Sequence, residues 1–141
     1  VMSPTSLSWP TVNLSAINIT ASNDPIILNN TGNQNITLAN VRVNAINLPG
    51  ETTTTEFLNA SNFTSGGFSA LECANTRLVN NTVTGITGVG LARGNNSLLL
   101  NNAASGQQNL YFCLVEVTSS LSAQSYSTGA PGGSAWTVST V

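Results

Sequence analysis

Hydrophobic residues along this chain recur at every second position far more often than at the i, i+3, i+4, i+7 spacing of a helix. Leu7 and Trp9 alternate with Ser6 and Ser8. Val12, Leu14 and Ala16 continue the pattern until the phase slips to Ile17 and Ile19, a slip that reads as a bulge. Ile26 and Leu28 lead into Asn29-Asn30-Thr31-Gly32-Asn33, where Asn and Gly tolerate positive φ. Ile36 and Leu38, then Val41, Val43 and Ala45, supply a returning strand, so this stretch predicts a hairpin. No run of a dozen residues keeps helical spacing without Asn, Thr or Gly breaking it.

Four consecutive threonines between Glu51 and Glu56 favour extended backbone and predict an exposed edge strand or loop. Phe57, Phe63 and Phe68, set among polar residues, read as anchors that pin a long connection onto the core. Leu71 to Val79 carries Cys73, and Val83, Ile86, Val89 and Leu91 sit among glycines. The run Leu110 to Val117 is apolar on both faces for most of its length, which marks a central strand. The last strand, 134–141, places Trp136 and Val138 on one side. Eight or nine short strands with turns between them predict an all-β fold, an Ig-like antiparallel β-sandwich, with a jelly roll as the alternative. Trp9 and Trp136 both lie outside the Cys73–Cys113 interval, so the tryptophan pin of antibody domains is missing. The expected organisation is an N-terminal strand segment, residues 1–20, and one sandwich domain, residues 21–141.

Composition narrows the chemistry. Only 6% of the 141 residues are charged, against about 25% in average proteins, while Asn, Ser and Thr supply 55. A surface kept wet without ionisation suits solubility over a wide range of pH and salt. There is no histidine, hence no imidazole base, no Ser-His-Asp set and no histidine-ligated metal. Arg42, Arg77 and Arg93 are dispersed, which gives no basic stripe for nucleic acid. Asp24, Glu51, Glu56, Glu72 and Glu116 are too scattered for a calcium loop. The four glutamates admit either a glycosidase pair or solvated surface carboxylates, and their unrelated polar surroundings favour the surface. Glu116 interrupts an apolar strand, so an inward side chain there requires a partner such as arginine. Trp9, Trp136, Tyr111 and Tyr126 offer either a sugar-stacking platform or core filling, and a core of this size needs them. No catalytic residue, cofactor or metal is expected.

Placement follows from several weaker signs. The apolar runs are far shorter than the roughly 20 residues of a membrane span. Cys73 and Cys113 form an even pair, which in a low-charge secreted chain reads as a disulfide, with two buried free thiols as the alternative. A chain opening on Val1 is what processing of a secretory precursor leaves. Eight Asn-x-Ser/Thr sequons stand at Asn13, Asn18, Asn29, Asn35, Asn59, Asn62, Asn80 and Asn95, where chance supplies roughly five. These features predict an extracellular, cell-surface protein carrying N-linked glycans.

Between Pro10 and Pro25 lie fourteen residues able to donate every backbone N–H to a sheet. Leu7, Trp9, Val12, Leu14, Ile17 and Ile19 give that region an apolar face, as an assembly strand donated to a neighbouring copy would need. Such head-to-tail addition builds an open filament. The competing reading makes residues 6–20 the first strand of their own domain. With no lysine, sortase linkage and internal isopeptide bonds are excluded, so any polymer of this kind is noncovalent or linked some other way.

The segment Asp24 to Val43, an apolar strand, an Asn-Thr-Gly-Asn turn and a second apolar strand, resembles an element of prokaryotic surface β-sandwich proteins. It is most similar to those of archaea, including extracellular filament and thread subunits and pilin heads. Leu110-Tyr111-Phe112-Cys113 and Ala135-Trp136-Thr137-Val138 are similar in style. The resemblance implies a secreted, glycosylated structural subunit without a catalytic centre. A type IV pilin opens on a long hydrophobic helix that this chain lacks. The expectation is thus either a head domain relieved of that helix or polymerisation by strand donation, and the chain as it stands favours donation. The function expected is a structural subunit of an extracellular cell-surface filament, pilus or thread, whose partners are copies of itself. An adhesin or glycan-binding module and a surface-layer or virion coat protein are the alternatives.

Overall fold

A computed structural model describes residues 1–68, 73–94, 98 and 104–141. Its strands are β1 (Met2–Ser3), β2 (Ile17–Thr20), β3 (Ile26–Asn29), β4 (Val41–Ala45), β5 (Leu48–Pro49), β6 (Phe57–Leu58), β7 (Phe63–Gly66), β8 (Thr76–Arg77), β9 (Thr82–Gly85), β10 (Gln107–Glu116) and β11 (Thr137–Thr140). The larger sheet runs β1-β3-β10-β7-β8, with β2 also paired to β10. The second runs β11-β4-β9, and β5 and β6 form a short pair. All of these strand pairs are antiparallel, and the sheets pack as a β-sandwich.

The core is what the alternation at each strand dictates. Ile26 and Leu28 of β3, Val41, Val43 and Ala45 of β4, and Leu110, Phe112 and Leu114 of β10 are all buried in one cluster. Phe63 sits at its centre, with Trp9 edge-on at 5.1 Å and Trp136 edge-on at 5.1 Å. Edge-to-face contacts of this kind add about 0.5–1.5 kcal/mol each beyond area burial.

β10 is the longest strand, and its first half pairs with β3, Leu110 opposite Ile26. Its second half pairs on the same edge with β2, Cys113 opposite Thr20. Between the two partners the chain bows out over residues 21–25, leaving Phe112 opposite no backbone acceptor. The Asp24 carboxylate fills that place, taking the Phe112 N–H at 3.1 and 3.2 Å on its two oxygens. A side chain thereby completes the ladder at the break between β3 and β2.

Four expectations are corrected. Leu7 to Ala16 forms no strand: Pro4 and Pro10 cannot donate to a ladder, and Ala16 N–H closes a turn onto Asn13 O with Ser15 at φ 63°. β3 and β4 are not a hairpin, because they lie in opposite sheets and the Asn-rich turn carries the chain across the core. Ile36 makes only a bridge to Leu91, and Leu38 is exposed. Of the three phenylalanine anchors only Phe63 is buried, whereas Phe57 and Phe68 face solvent. Residues 71 and 72, which open the Leu71 to Val79 segment, lie outside the described residues.

Replacing Asp24 by alanine strands a buried N–H, for which about 1–3 kcal/mol is the usual cost. Chemical denaturation is expected to show that loss with an unchanged slope. A stability equal to wild type would mean that Phe112 finds another acceptor.

Candidate functional site

The sequence points first to residues 1–20, which form an arm along one edge of the larger sheet. Met2 pairs with Leu28 and Ser3 with Ile27. Further on, the Asn23 side chain bridges the arm, donating to Ser6 O at 2.8 Å and accepting from Ser8 N–H at 3.0 Å, while Ser22 N–H donates to Ser8 O at 2.7 Å. The chain then reverses and returns as β2 along β10, with Ser15 and Ala16 exchanging bonds with Val117. Of the six assembly-strand residues, Leu7, Trp9, Val12 and Ile19 pack against the core, whereas Leu14 and Ile17 are exposed. Trp9 is the deepest anchor: its ring meets Phe63, and its Nε1–H donates to Ile19 O at 3.2 Å. In the single chain the arm is thus seated on its own sheet.

The second feature is a strap. Cys73 and Cys113 are joined by a disulfide, as expected from their even count. Cys113 is fully buried on the outer face of β10, beside Thr64 of β7. Next to it Gly66 makes room for Asn75, whose side chain occupies the space a Cβ would take. The bridge spans 40 residues, and closing a loop of that size contributes ~4 kcal/mol in the chain-entropy account. It fits a secreted or extracellular protein.

The acids and aromatics are not gathered into one cleft. Trp9 and Trp136 are half-buried in the Phe63 stack, and Trp136 Nε1–H donates to Ile46 O at 2.7 Å. Tyr111 Oη accepts from Asn109 at 2.9 Å. Glu51 and Glu116 are exposed, and Glu72 lies outside the described residues. Glu56 instead ties two loops together. Its carboxylate accepts from the Ser122 hydroxyl at 2.7 Å, Ser122 N–H at 2.8 Å, Tyr126 O–H at 2.9 Å and Gln124 Nε2 at 3.1 Å. Gln124 Oε1 in turn takes the N–H groups of Thr52 and Thr53. The Ser122 hydroxyl and then its backbone N–H hold the Glu56 carboxyl below its ordinary value, and burial pushes the Tyr126 phenol up. This latch was not legible beforehand, because its partners lie 66 or more residues away. Among the described residues no group of three or more His, Cys, Asp or Glu gathers, and no helix is long and apolar enough to cross a membrane.

A groove of about 340 Å³ opens where β1 and β3 of one sheet face β11 of the other. Leu28, Val41 and Leu91 line it, with Met2 and Val138 at its sides. Asn29 lies along it, and of the other sequon residues Asn13, Asn18, Asn35, Asn59 and Asn80 are exposed and Asn62 is half-buried. Asn95 lies outside the described residues. Compared with protein-family models, with curated proteins and with solved structures, the chain matches none.

The latch carries a pH signature. Folding holds the Glu56 carboxyl below 4.5, so its stabilising contribution is present above that value and lost as pH falls through the folded one. Glu56→Gln is expected to lower Tm at neutral pH, with the gap to wild type closing as the solution is acidified. A gap that stays constant down to pH ~3 would remove the carboxylate from this role.

Proposed function

We propose that the protein is a noncatalytic structural subunit of an extracellular cell-surface filament, and that copies join noncovalently through the N-terminal arm. The single observation that carries this reading is the construction of the arm. It is a peripheral piece of chain, joined to the sandwich by strand pairing, by the Asn23 bridge, by the aromatic anchor Trp9 and by Leu7, Val12 and Ile19 packed on the core.

Each of those contacts is available equally to the arm of a second copy. Without residues 1–20 the sandwich presents the free edge of β10 from Cys113 to Glu116, with the face of Phe63 beside it. That is an edge-strand vacancy with an apolar socket, and an incoming arm supplies both the strand, Ile17–Thr20, and the plug, Trp9. Exchange of an identical element adds no contact that the single chain does not already make, so the energetic difference between the closed subunit and the polymer is small and concentration decides. Chain linkage of this kind is directional, and it yields a filament wherever its rotation does not close on itself.

The disulfide supports the extracellular placement. Two of the acids have structural work, Asp24 in the β10 ladder and Glu56 in the loop latch. The four aromatics eligible for a sugar-stacking platform are engaged elsewhere, Trp9 and Trp136 on the core, Tyr111 with Asn109 and Tyr126 with Glu56.

Electron microscopy of the protein from the cells that make it is expected to show filaments. Deleting residues 1–20 is expected to abolish them, and a synthetic peptide of those residues is expected to bind the shortened chain and restore its folded signal. A wild-type protein that remains monomeric at every concentration, or filaments that survive the deletion, would overturn strand donation.

A further inference from the structure

The eight sequons are equal in sequence and unequal in the fold. An acceptor asparagine must offer its side-chain Nδ2 and its Ser/Thr hydroxyl together at the surface. Asn62-Phe63-Thr64 fails that requirement. Phe63 is 1% and Thr64 3% exposed, and Asn62 Nδ2 is turned toward Thr118 Oγ1 at 3.4 Å. Asn29 fails it as well. Thr31 is exposed, but the Asn29 side chain is only half-exposed with its Oδ1 sealed from solvent, and its backbone N–H and C=O are both bonded to Val1, at 2.8 and 2.9 Å, which holds the residue against the sheet.

Five others meet the requirement. Asn13, Asn18, Asn35, Asn59 and Asn80 are exposed, as are their partners Ser15, Thr20, Thr37, Ser61 and Thr82. At two of them the fold orients the amide. Asn35 Oδ1 accepts Arg93 N–H at 2.8 Å, and Asn80 Oδ1 accepts Asn47 N–H at 2.8 Å. With the oxygen held, the Nδ2 of the same planar group is left as the free end. Thr82 Oγ1 also donates to Asn80 O at 3.2 Å, which folds that sequon into a compact turn. Asn59 caps a short 3-10 turn without using its side chain. Asn18 stands on β2, at φ 54°.

We infer that N-linked glycans are carried by members of the set Asn13, Asn18, Asn35, Asn59 and Asn80, and that Asn29 and Asn62 stay bare. The donor is an oligosaccharide joined through phosphate to a polyprenol. The asparagine Nδ2 forms the bond to the anomeric carbon, the carbon–oxygen bond to phosphate breaks, the lipid phosphate leaves with the electron pair, and one amide proton passes to solvent. Asn13, Asn59 and Asn80 belong to loops at the end of the sandwich where β10 terminates. There Ser15 meets Val117, Asn62 meets Thr118, and Asn47 links Ala60 to Asn80. Sugar on those three would crowd that end, whereas Asn35 lies beside the groove that Ile36 and Asn30 line.

The inference rests on the extracellular placement proposed above. Its test is glycopeptide mapping by mass spectrometry of the protein isolated from its own cells, with cell fractionation on the same material. Glycan confined, among the seven described sequons, to one or more of the five open sites is the expected result. Glycan on Asn29 or Asn62, or none on any of the five, overturns it. An unglycosylated protein found outside the cell sinks this inference alone, whereas an unglycosylated protein found in the cytoplasm sinks the placement as well.

Discussion

Covering both faces of one ten-residue strand obliges its backbone polar groups to find partners inside the protein, because water cannot reach them. β10 is that strand. Leu110, Phe112 and Leu114 lie in the core on one face, and Cys113 is sealed by the disulfide strap on the other. β7 satisfies one edge, while the other is shared between β3 and β2 with Asp24 bridging the break. The second sheet, the Phe63 stack and the arm are arranged around this requirement. A lost partner along β10 costs more than the same loss at β11, whose side chains are largely exposed.

The arm enters through the same constraint. β2 supplies the pairing for the second half of β10, so a strand in that place satisfies backbone groups that would otherwise be left open. Nothing in the chemistry of the contact demands that it come from the same molecule. Backbone pairing carries no residue code, and the specific part lies in Trp9 on Phe63, in Leu7, Val12 and Ile19 against the core, and in Asn23 between Ser6 and Ser8. A surface poor in charge imposes no long-range repulsion between copies that approach one another.

Much of the sandwich was legible because burial on one face writes a period of two into the strand. Ile26 and Leu28, Val41 to Ala45, and the doubly apolar run that became β10 all express it. The disulfide was legible from parity. Sheet membership was not: alternation says which side of β3 and β4 is buried and is silent on which sheet each joins, so a crossover reads as a hairpin. The arm was misread for a related reason. Leu7 and Trp9 alternate and, like Val12, are packed inward, yet prolines and the turn at Asn13 to Ala16 deny that stretch a ladder. Asp24 and Glu56 carry no local signature, since what defines each is a donor 88 or 66 residues away. Exposure of the sequon residues likewise appears only once the chain is folded.

Strand donation requires an arm that separates from a stable β10 framework, which native-state hydrogen exchange measures residue by residue. The amides of Ile19, Thr20 and Ser22 are predicted to exchange together through an opening that leaves β4 and the β7–β10 edge protected. If arm and sandwich instead exchange at one common rate set by global unfolding, residues 1–20 are an inseparable part of the fold and cannot serve as a strand passed between copies.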